Sequence, residues 1–155
     1  MSMLSALLML HLLALILMAG TTFIDFINYR MFWKLFNHRK EQAAGILSAS
    51  AKFPRLIGIG AGFLIITGVG MIAVTHGVWA QQIWFRIKMI LVLLLILNGI
   101  FNGNRLSAKL RAVISGNVPD LAQRLLNLKG KLLAFHLLQF AFLLLIIFLS
   151  AYKFN

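Results

Sequence analysis

The chain has 155 residues, 61% of them hydrophobic, with no cysteine and a formal net charge of +12. Its mean hydropathy of +0.93 lies far above that of soluble domains. The missing thiols exclude disulfides, thiolate nucleophiles, iron–sulfur clusters and cysteine-ligated zinc, and no Ser–His–Asp arrangement, phosphate loop or pair of carboxylates supports hydrolysis or phosphoryl transfer.

Four apolar runs, at about 3–25, 56–80, 83–101 and 132–152, reach the ~20 helical residues that cross a bilayer core. They predict an all-α polytopic membrane protein, a single domain over 1–155 built as a four-transmembrane-helix bundle. The cations then fall into two groups. Arg30, Lys34, Arg39, Lys40, Lys52 and Arg55 lie in a basic segment at 28–55, and Arg105, Lys109, Arg111, Arg124, Lys129 and Lys131 in another at 102–131. Arg86, Lys88 and Lys153 remain for the other side. By the positive-inside rule both segments are cytoplasmic loops and both termini face out. The basicity therefore reads as topology and anionic-lipid contact, not nucleic-acid binding. An integral protein of a bacterial inner membrane is expected.

The first run, "LLMLHLLALILMAG" at 7–20, holds one histidine, His11. It lacks a basic flank and is too long for a cleaved leader, so it is expected as a retained span. His11, Ala14, Met18, Thr21 and Asp25 recur at helical spacing, a small and polar stripe that turns His11 inward. Beyond Asp25 the helical pattern continues as "FINYRMFWKLF", with Phe26, Tyr29, Trp33 and Phe36 on the 3–4 spacing of an interfacial extension.

Pro54 marks the start of span two, whose glycines Gly58, Gly62 and Gly70, with Ala73 and Gly77, form a small-residue face. Such a face admits a neighbouring helix or a flat ligand, and Gly62 is the residue placed against that ligand. A short connection around "VWAQQ" makes spans two and three an antiparallel hairpin. In span three, Gln81, Trp84, Lys88, Leu91, Leu95, Asn98 and Asn102 share a face that brings Lys88 toward the bundle. Arg86 lies on another face and snorkels. The third connection reads as two short amphipathic helices split at Gly116–Pro119, and span four carries His136 and Gln139 on one face, continued by Leu143 and Ser150.

Ionisable groups inside a span are functional candidates by default. At ~1.5 Å per residue, His11 lies ~12 Å and Lys88 ~9 Å below the outer surface. His76 sits just above them at the outer end of span two. His136 enters from the inner face and lies ~10 Å from the level of His11 in a ~30 Å core. A haem on His11 is compatible with these depths, with Lys88 near a propionate or acting on substrate, and a bis-histidine site would need His76 with His11 or shifted span boundaries. Helix-to-helix hydrogen bonding is the plainer reading of His11 and His136. Met18 with His11 would suit Cu(I).

The segments "LHLLALILMAG", "FINYRMFWK" and "IWFRIKMILVLLLIL" resemble the small membrane protoporphyrinogen oxidases of the HemJ type and related CopD-like membrane proteins. The resemblance implies that His11 matches the histidine implicated in haem b binding and Lys88 a lysine essential to the activity. The family's tryptophan after the first histidine and its Asn-Glu-Xaa-Pro motif before the last span are absent here. The expected function is that of a haem-b-binding oxidoreductase passing electrons to quinone or a respiratory partner, with porphyrin or quinone as ligands. The alternative is a non-enzymatic accessory or copper- or transport-associated subunit, working as a homo-oligomer or with a membrane partner.

Overall fold

The computed structural model describes residues 2–36, 38–115 and 121–152. Among these residues there is no strand, and four helical runs are long and apolar enough to cross a membrane: Met3–Phe36, Lys40–Val74, Ile83–Ala112 and Gln123–Tyr152. The chain divides into two helical units, Met1–Ala80 and Gln81–Asn155.

In the first unit, α1 (Met3–Phe36) runs without interruption for 34 residues, about 50 Å at the α-helical rise and well beyond a ~30 Å bilayer core. Its excess is the expected aromatic extension. Tyr29 meets Trp33 edge-on at 6.3 Å between ring centroids, and Phe32 meets Trp33 at 5.1 Å and Phe36 at 5.5 Å. Helix α2 (Lys40–Ala49) folds back on this end, burying Ala43 and Phe32, and Asn28 Nδ2 donates to Ser50 Oγ at 3.0 Å. A single 3-10 turn at Ser50–Lys52 leads into α3 (Phe53–Val74), with Pro54 in its first turn where the missing N–H costs nothing.

Helix α3 ends at Val74 and not near residue 80 as the hydropathy suggested. The reason is local. The Gly77 N–H donates to the Ile72 carbonyl at 3.0 Å and the His76 N–H to Ala73 at 3.2 Å, the paired bonds of a Schellman stop. His76 takes the left-handed conformation this stop requires, with φ 50°, and Gly77 follows at 75°.

Helices α1 and α3 are antiparallel: Gly60 packs on Ala14 and Met18, Gly68 on His11, and Gly70 on Leu7. Ala14, Met18 and Thr21 are buried, so the inward stripe of span one is present. The small-residue face of span two is rotated from the expected one. A Cβ on Gly60 would stand 3.0 Å from Met18 Cβ and 3.3 Å from the Ala14 carbonyl oxygen, while nothing lies within 4 Å of a Cβ on Gly58 or Gly62. Gly60, Thr67 and Met71 are the buried positions of α3. Spacing alone offered several glycine faces, and contact with α1 selected this one.

In the second unit, α4 (Ile83–Leu97) passes through a π-helical turn at Asn98–Gly103 directly into α5 (Asn104–Ser115). The span therefore does not stop near residue 101, and the first expected short helix of the third connection, Asn104–Ser115, continues it. "RLSAKLRAVIS" is made largely of good helix formers and buries Leu110 where α5 packs on α6. Helix α6 (Leu121–Tyr152) is likewise continuous, so the second expected short helix is fused to span four, and the split at Gly116–Pro119 lies outside the described residues. Along α6 the buried positions Leu125, Leu128, Leu132, His136, Gln139, Leu143, Ile146 and Leu149 follow a 3–4 spacing, a continuous seam. The opposite faces are apolar and exposed (Ile16, Ile66, Leu144), as contact with lipid requires.

Candidate functional site

Two intramembrane polar sites emerge, one in each unit. In the first, His11 Nδ1 lies 2.8 Å from Thr67 Oγ1. The Thr67 hydroxyl hydrogen is already directed to the Phe63 carbonyl at 2.6 Å, a back-bond to the preceding turn that hydroxyls in apolar helices commonly make. The hydroxyl oxygen then accepts from the ring, which assigns the His11 proton to Nδ1. The ring edge rests over Gly68, where a Cβ would come within 3.6 Å of Cε1. Metal-ligating histidines are oriented in this way, by donating the other ring N–H to a fixed acceptor.

Among the described residues no group of three or more His, Cys, Asp or Glu comes together. A bare metal ion would thus lack donors at His11, whereas a porphyrin brings four nitrogens of its own and needs one imidazole. Met18, the expected copper partner, is seven residues along the same helix, about 10 Å away, and is buried against Gly60. His76 does not join His11 either. It is exposed in the stop after α3, roughly 10 Å of helix beyond Thr67. Gly62 is half-buried, and a side chain there would meet nothing within 4 Å.

In the second unit, Trp84, Leu95 and Asn98 are buried and Lys88 is half-buried on the same face, as the expected stripe has them, while Gln81 at its start is exposed. His11 and Lys88 belong to different units, and their pairing rests on depth alone. Asn102 departs from the stripe: it is exposed, and Gly103 takes its place on the buried face. The extra residue of the π turn causes this, since its i→i+5 bonding widens one turn and advances the register by one. A Cβ on Gly103 would stand 2.9 Å from Cζ of the Phe135 ring.

The same turn builds a row of amides. Asn102 Nδ2 donates to Asn98 Oδ1 at 2.9 Å, and Asn98 Nδ2 donates to Gln139 Oε1 at 2.9 Å and to the Phe135 carbonyl at 3.5 Å. His136 and Gln139, each 4% exposed, sit side by side on α6. Sequence reasoning had each of these residues on an inward face but did not pair Asn98 with Gln139, and it missed Thr67 entirely. The only signal for Thr67 was a hydroxyl in an apolar run, and the register of α3 on α1 was needed to interpret it. No family model, no curated protein and no solved structure matches the chain.

Proposed function

We propose that the protein is an integral protein of a bacterial inner membrane, both termini outward, that holds haem b on His11. In this reading it passes electrons to quinone or a respiratory partner, as a protoporphyrinogen-oxidase-like oxidoreductase. The observation that carries the reading is the hydrogen bond from His11 to Thr67, which fixes the orientation of the imidazole within the helix pair. When bound, the haem supplies one-electron transfer. Thr67 holds the imidazole in its ligating tautomer, and the ring lies beside Gly68 of α3. The clustering of twelve of the fifteen cations in 28–55 and 102–131 supports the orientation.

A visible spectrum of the purified protein tests this directly. A Soret band is expected as isolated or after haem addition, lost in His11→Ala. In Thr67→Val the haem affinity falls about 10–100-fold, the usual effect of removing a ligand's orienting partner. No Soret band under any loading sinks the haem reading.

The second reading, a non-enzymatic accessory subunit, is favoured by the pairing of intramembrane polar groups across helices, His11 with Thr67 and Asn98 with Gln139. It requires a colourless protein that tolerates Lys88→Met and copurifies with a partner.

A further inference from the structure

The arms of the second unit continue past the apolar spans as a helical hairpin. Helix α5 follows α4 through the π turn, and the first part of α6 leads straight into span four. Leu110, Leu125 and Leu128 are buried where these two arms pack. Four exposed cations, Arg105, Lys109, Arg124 and Lys131, each stand immediately before a leucine of the inner face. Those leucines are Leu106, half-buried, and Leu110, Leu125 and Leu132, all buried. One residue is a rotation of about 100° around the helix axis. In an antiparallel pair, equal rotations away from the seam reach the same flank, so the four cations share one side of the hairpin.

Their heights differ. Arg105 and Lys131 lie four residues and one residue beyond the apolar runs 83–101 and 132–152, ~6 and ~1.5 Å, within a head-group layer ~5–7 Å deep. Lys109 and Arg124 each lie eight residues beyond them, ~12 Å from the hydrocarbon. Packed helix axes ~8–10 Å apart set this upper pair across from each other. On loops such cations would settle onto lipid, whereas a packed hairpin holds them above it. The unit offers little to neutralise them, since residues 81–155 include one acidic residue, Asp120. Arg105 and Lys109, four apart on one helix, also repel each other.

We propose that this flank docks an acidic segment of a water-soluble protein partner, with Lys109 and Arg124 as the principal contacts. Charge complementarity selects an anion, and height selects one in water over a lipid phosphate. The segment 104–131 has no aromatic residue on which a base would stack, which disfavours a single-stranded nucleic acid. The inference goes beyond the haem reading and needs neither haem nor a particular sidedness of the membrane.

The test uses the full-length protein in phosphatidylcholine nanodiscs and a fluorescein-labelled oligo-glutamate peptide. Saturable binding that weakens with rising salt is expected. It should weaken about tenfold in the double variant Lys109→Gln, Arg124→Gln, and stay unchanged in Arg39→Gln, Lys40→Gln, which removes the same charge from the first unit. No saturable binding, or an equal loss in both double variants, overturns the inference. Two further arms separate the other anions. Phosphatidylglycerol retained by the protein, counted by native mass spectrometry, should not change in Lys109→Gln, Arg124→Gln; a loss there gives the upper pair to lipid and overturns the proposal. A labelled single-stranded RNA of equal charge should bind more weakly than the peptide, and tighter binding overturns it as well.

Discussion

Helices α1 and α3 meet through backbone, with Gly60 against the Met18 nitrogen and Ala14 carbonyl, and the His11–Thr67 hydrogen bond ties them further along. Helices α4 and α6 meet through side chains: a long leucine seam, an amide row, and a π turn that brings Gly103 under Phe135. Both are antiparallel pairs drawn from similarly apolar sequence, yet they use the two different means by which helices associate in lipid. Where water is absent, burial of apolar surface does not distinguish a partner helix from a lipid tail, so close approach or polar bonding must. The first pair holds its small polar site beside Gly68, away from the tight Gly60 contact. The second builds its polar site into the seam itself.

That contrast can be broken at its strongest point. Replacing Gly60 by Leu drives a side chain into the α1 backbone and should destabilise the first unit by about 3 kcal/mol, the upper range for overpacking. Unfolding of the full chain in detergent measures this, and an unchanged midpoint would place the helix contact elsewhere. The polar means of association is read by a double-mutant cycle on Asn98→Leu and Gln139→Leu. A coupling of about 1–2 kcal/mol is expected, the range of interhelical amide bonds in membranes; additive effects would mean that the two amides act separately.

Smaller effects sharpen the picture within the first unit. His76 occupies a left-handed position that glycine adopts without penalty, so His76→Gly should stabilise by about 1 kcal/mol. Because His76 is exposed and away from His11, the same variant should keep any haem spectrum unchanged, and a lost axial band would restore it as a ligand. Gly62→Ala is the mildest change. With nothing within 4 Å of the new methyl group, helix propensity alone should stabilise by roughly 0.5–1 kcal/mol. Reduced haem uptake in this variant, at unchanged stability, would put the porphyrin against Gly62.

Four spans, the inward stripe of His11, Ala14, Met18 and Thr21, and the aromatic extension of α1 were all legible in the residues. Hydrophobic content and 3.6-residue periodicity are local properties, and each is complete within one helix. Helix ends were less legible. The stop at His76 depends on backbone hydrogen bonds, and the expected helices of the third connection proved continuous with their spans, at Asn104–Ser115 and from Leu121, because polarity marks the membrane surface without breaking a helix.

What the tertiary structure alone decided is register. The sequence determined that His11, Thr67, Asn98 and Gln139 would be polar groups in hydrocarbon, where each needs a partner. Which partner each finds depends on how α3 slides along α1 and α6 along α4, set by the closest glycine contact in one pair and the π turn in the other. No single-helix pattern encodes that offset, because it is a property of two surfaces fitted together.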